Sequence, residues 1–143
     1  MTALEALVLS YAASDPRLDV WRRYPDIGEA EDAGTDTFAC KQVSAGFAEF
    51  ARERGWNAIA VLAEGADHPL ADDHAWVRIN DGSQSYDVDF TVRQYHNLHR
   101  AEGGDESVLA LPWPLVWTYR GEHPVVGTFA GLSPLSMATT LPH

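Results

Sequence analysis

The chain has 143 residues, enough for one domain with a modest core and too few for two ordinary domains. Its formal net charge is −11, from 10 Lys+Arg against 21 Asp+Glu, and so acidic a chain repels a phosphate backbone, which argues against a nucleic-acid partner. No apolar run approaches the roughly 18 residues of a membrane helix, and the start Met1-Thr2-Ala3-Leu4-Glu5 has neither the basic nor the apolar segment of a secretory signal.

Residues 2–13 read as a short helix, because Leu4, Leu7, Val8 and Tyr11 recur at spacings of three and four, and Asp15-Pro16 ends it. Residues 14–36 are polar and turn-rich, with Trp21, Tyr24 and Ile27 as apolar anchors, and are expected to form a surface loop with at most one helical turn. The strongest helix spans 37–54. Thr35, Asp36 and Thr37 can cap it, Ala39, Val43, Phe47, Phe50 and Ala51 form its apolar stripe, and Gly55 closes it. Residues 57–63 are continuously apolar and read as a central strand covered on both faces. After a loop over 64–73, the segments His74–Ile79 and Gln84–Phe90 flank Asn80-Asp81-Gly82-Ser83 and read as a β-hairpin. Residues 91–99 suggest a short helix. Residues 108–119, interrupted by Pro112 and Pro114, suit only an edge strand, and residues 121–143 read as a wrapping tail. The fold class expected is α+β, a single domain over 1–143.

Cys40 is the only cysteine, so neither an intrachain disulfide nor a cysteine-rich zinc site is possible. A lone cysteine is most often a small buried hydrophobe. Cys40, however, falls near the start of the strongest helix, where unpaired N–H groups and the positive end of the dipole favour a thiolate. A cysteine nucleophile needs a base, and the base needs an orienting partner. His74 opens a strand directly after a loop. Asp87 and Asp89 lie two residues apart on the partner strand and point to one face. A turn centred near residues 81–82 places His74 across from residues 88–90, so one carboxylate can hold its ring.

Cys40 heading a helix, His74-Ala75-Trp76-Val77 opening a strand, and Tyr86-Asp87-Val88-Asp89-Phe90-Thr91 on the next strand resemble the transglutaminase-like branch of the papain-like cysteine enzymes. The likeness covers about residues 36–95. The segment Asp89 to Tyr95 is also similar to papain-fold domains of bacterial toxins and phage-encoded proteins. The resemblance implies a Cys-bearing helix packed on a small antiparallel sheet, and a Cys40–His74–Asp89 triad. Its Asp-x-Thr setting picks Asp89 over Asp87, which stays as a second carboxylate or alternative acid. It implies acyl transfer on protein or peptide amides, as peptidase, isopeptidase, glutamine deamidase or transglutaminase, with no cofactor.

The chain also departs from that pattern. Phe38-Ala39 and Lys41-Gln42 flank Cys40 in place of the Gly-x-Cys-Trp run of papain-type peptidases, and no glutamine precedes it at the papain spacing. The backbone N–H of Cys40, Gln42, Trp21 and Tyr24 are the candidates for oxyanion or substrate contacts, and Trp76 is a core residue or a wall of the site. Asp67, His68, Asp72 and Asp73 crowd one loop without a calcium-loop pattern, and His96 and His99 lack a third zinc ligand, so no metal site is expected. The other class of function is an interaction module that kept the scaffold without turnover. The expected location is cytoplasmic, or within a larger or exported protein, and the oligomeric state is left open.

Overall fold

The computed structural model describes residues 2–19, 40–66, 74–92, 112–119, 123–124 and 129–135. Among the described residues, two α-helices and a five-stranded antiparallel sheet make up an α+β domain. Helix α1 is Ala3–Ser14, a 3-10 turn follows at Pro16–Leu18, and helix α2 is Cys40–Glu53. The strands are β1 (Asn57–Ala66), β2 (His74–Asn80), β3 (Ser85–Asp89), β4 (Leu115–Thr118) and β5 (Phe129–Pro134), in the spatial order β4-β3-β2-β1-β5. No helix among the described residues is long and apolar enough to cross a membrane.

In α1 the four apolar residues at helical spacing are all buried, together with Ala12. Thr2 caps the helix by accepting from the N–H of Glu5. Asp15 ends it and starts the 3-10 turn, its carboxylate accepting from the Arg17 N–H and guanidinium and from the Tyr11 hydroxyl. Helix α2 buries Val43, Phe47, Ala48 and Ala51, while Phe50 is only partly buried. Gly55 follows α2 with φ of 86°, a left-handed value that only glycine adopts freely, and its N–H returns to the Arg52 carbonyl.

Both helices pack on one face of the sheet. Ala58, Ala60, Val77, Ile79, Val88 and Phe90 meet Leu4, Leu7, Tyr11, Val43 and Phe47 there, and the rings of Tyr11, Phe47 and Phe90 lie 5.0–5.5 Å apart. The opposite face carries a smaller apolar cluster of Val61, Ala63 and Trp76, with Trp117 and Leu132 against it. It also carries the polar residues discussed below.

The structure differs from the sequence expectations in three places. Strand β1 runs three residues beyond 63 and, although paired on both sides, lies next to an edge, with Ile59 42% exposed. The hairpin register pairs Val77 with Val88, so its continuation sets His74 opposite Thr91 rather than 88–90. The cause is the turn, which occupies Asp81 to Gln84 and is closed by an Asp81 N–H to Gln84 C=O bond. Finally, part of the tail is a strand: β5 pairs antiparallel with β1, and the tail thereby supplies the second sheet edge. The first edge, β4, is the edge strand expected within 108–119, and it begins directly after Pro114. The expected helix over 91–99 falls outside the described residues beyond Val92.

Candidate active site

Cys40 is the first residue of α2 and is buried. His74 is the first residue of β2, and Asp89 is the last of β3. Cys40, His74 and Asp89 are each 1% exposed. His74 Nε2 lies 2.6 Å from Asp89 Oδ2. An ionised carboxylate only accepts, so His74 Nε2 carries the proton of this bond. That leaves Nδ1 as the ring nitrogen not engaged by Asp89, and Cys40 is among the groups that raise the basicity of His74.

These interactions hold a charge where burial alone would remove one. Burial disfavours the imidazolium, yet the charge and hydrogen bond of Asp89, then those of Cys40, outweigh it and push His74 up to about 10. Burial likewise works against the Asp89 carboxylate. The charge of His74 and the hydrogen bonds from His123 and His74 prevail and hold it well below the usual carboxylate range.

Asp89 has further donors. Its Oδ1 accepts from the Thr91 N–H at 2.9 Å and more weakly from the Thr91 hydroxyl at 3.4 Å. Its Oδ2 also meets His123 Nε2 at 2.8 Å. The Trp113 indole N–H donates to the Phe90 carbonyl at 2.8 Å and ties down the chain just after Asp89. Asp87 shares the face of Asp89 but is occupied elsewhere: Arg78 Nε and Nη2 reach its two oxygens at 2.9 and 3.2 Å. Among the described residues, then, Asp89 rather than Asp87 meets His74, and Asp87 is a buried ion-pair member instead of a surface charge.

Trp76 is buried and walls the site, its ring 5.8 Å from His74 and 5.1 Å from His123. Gln42 is half-buried in the first turn of α2. Trp21 and Tyr24 lie outside the described residues, as do Asp67, His68, Asp72, Asp73, His96 and His99. His123 is the site residue that the sequence does not signal. It stands alone in a Gly- and Pro-rich segment, 34 positions from Asp89, with no spacing to mark it.

By residue type, His74, Asp89 and His123 could ligate a metal, since their ligand atoms lie within 4.8 Å of one another. Their spacing is that of hydrogen bonds, however. Ligands bonded to a tetrahedral zinc at about 2.0–2.1 Å stand about 3.3 Å apart, whereas the two imidazole–carboxylate distances are 2.6 and 2.8 Å. The cluster as built is a proton-sharing network.

No protein-family model matches the chain, and no curated protein does. Among solved structures, the chain is similar to the catalytic domain of the Salmonella virulence factor SseI, with 20% identity and a TM-score of 0.41. The match covers 57% of this chain and 46% of the other, so it spans under half of that domain.

Proposed function

We propose that the protein is a cysteine-dependent acyl-transfer enzyme acting on protein or peptide amides, with Cys40 as nucleophile, His74 as acid and base, and Asp89 as the group that orients His74. The observation that carries this reading is the buried His74–Asp89 contact at 2.6 Å, and the buried Cys40, among the groups that raise His74, supports it. A raised His74 favours a thiolate–imidazolium pair at neutral pH. The Cys40 thiolate attacks the amide carbonyl carbon, and the carbonyl π electrons move to oxygen. As the tetrahedral intermediate collapses, the C–N bond breaks, and the leaving amine takes the proton from His74 Nδ1. The thioester then meets a nucleophile, which His74 deprotonates. Its attack breaks the thioester C–S bond and returns the Cys40 thiolate: water gives an acid, the outcome of a peptidase or deamidase, and an amine gives a new amide, the outcome of a transglutaminase. Both outcomes share the first half-reaction.

The enzymatic reading is tested by incubating the protein with a glutamine-containing peptide and with a mixed peptide library, following ammonia release and backbone cleavage, with Cys40→Ala as control. One of the two activities is expected in the wild type, with a loss of at least about a hundredfold in the control. If neither activity appears while Cys40 is reactive, amides are not its substrates. Full activity in Cys40→Ala removes the cysteine mechanism.

A further inference from the structure

We propose that His123 is a positioning residue for the triad, an inference that rests on the enzymatic reading above: its Nε2–H clamps Asp89 Oδ2 so that the carboxylate stays aimed at His74. The two imidazoles share one carboxylate oxygen, at 2.6 Å for His74 and 2.8 Å for His123. An ionised Asp89 only accepts, so both rings must donate from Nε2. The second oxygen is engaged by Thr91, and the carboxylate cannot rotate without breaking a bond at each end.

His123 is itself fixed. It is 1% exposed, and its ring lies 5.1 Å from that of Trp76 and 4.9 Å from that of Trp117, both at steep angles. Its ring also meets that of His74 edge-on at 5.6 Å. A residue held only for packing in such an aromatic cage would ordinarily be apolar, since a buried imidazole must find hydrogen-bond partners. His123 instead spends its Nε2–H on the carboxylate that orients His74. Burial, reinforced by the positive charge of His74, lowers its basicity against the pull of Asp89 and, more weakly, of Asp87, so it acts as a neutral donor. A neutral donor stabilises the Asp89 carboxylate without placing a second positive charge beside His74.

The test is the pH profile of iodoacetamide labelling of Cys40, which needs no substrate, with a thermal melt as the fold check. His123→Phe keeps a ring between the tryptophans and removes the donor. His123→Gln keeps an N–H near the position of Nε2. His123→Phe is expected to raise the labelling midpoint by about one pH unit or more toward the ordinary thiol value of about 8.5. His123→Gln is expected to stay near wild type. Because His123 acts through Asp89, adding His123→Phe to Asp89→Asn is expected to shift the midpoint no further. If His123→Phe does not fold, His123→Asn, whose shorter amide falls short of Asp89, takes its place with the same expected shift. A low wild-type midpoint that these variants leave in place overturns this inference alone. A wild-type midpoint near about 8.5 overturns the triad reading and this inference with it.

Discussion

Asp87 and Asp89 share one face of the hairpin with Arg78 and His74, and their partners separate their roles. Asp87 and Asp89 are both buried carboxylates two positions apart on β3, yet Asp87 is tied to a guanidinium and Asp89 to two imidazoles. Asp87 and Arg78 bond to each other rather than to His74. Asp87→Asn is therefore expected to lower stability by roughly 1–3 kcal/mol in urea unfolding, from loss of a charge-assisted bidentate bond. It is expected to leave the Cys40 labelling midpoint in place. A midpoint shift as large as that of Asp89→Asn would make Asp87 part of the reactive unit. At this scale the sequence was informative where contacts are local or carried by one hairpin. Thr91 binds Asp89 from two positions away, and His74 meets Asp89 across a single turn. His123 reaches the same carboxylate from beyond β4, and no periodicity encodes such a meeting.

The elements follow from patterning that the sequence displays, and their docking follows from details it hides. The stripes of α1 and α2 are legible as helical spacing, and the hairpin as two apolar runs about an Asp-Gly turn. Strand β5 is not legible, because Gly131 and Pro134 interrupt it, a composition that an edge strand tolerates. The close approach of α1 to α2 is equally hidden, and it depends on Gly46. In an exposed helix interior, Gly→Ala would stabilise by about 1 kcal/mol. Here a Cβ on Gly46 would collide with the Tyr11 hydroxyl, and Arg17 Nη2 lies 3.1 Å from the same point. That hydroxyl is buried and bonded to Asp15, so it cannot swing clear without losing its partner. The collision outweighs the helix propensity, and Gly46→Ala is expected to destabilise by about 1–3 kcal/mol. Chemical denaturation measures this, and a more stable variant would show that α1 is free to shift away from α2.

Taken as a whole, the molecule uses its two sheet faces differently. One face receives both helices and holds the main core. The other carries His74, His123, Asp89 and Trp76, and Cys40 stands buried at the start of α2. Composition and length bounded the domain and its class, but the five-strand order could not be read in advance, because β4 and β5 are short, proline-flanked and distant in sequence from their partners. In the proposed mechanism Cys40, His74 and Asp89 ionise as one unit. Burial in an apolar setting would raise a thiol, whereas a charged imidazole beside it lowers the thiol. With His74 pushed up to about 10, the imidazolium persists through neutral pH and the ion pair should prevail. The most direct measurement is the pH dependence of iodoacetamide labelling at Cys40 in the wild type and in His74→Ala. Cys40 is the sole cysteine and 1% exposed, so the midpoint rather than the absolute rate is the readout. Shared ionisation predicts a wild-type midpoint at least about two pH units below the ordinary thiol value of about 8.5, and a return to that value or above it in His74→Ala. A wild-type midpoint near about 8.5, unchanged by His74→Ala, would contradict it.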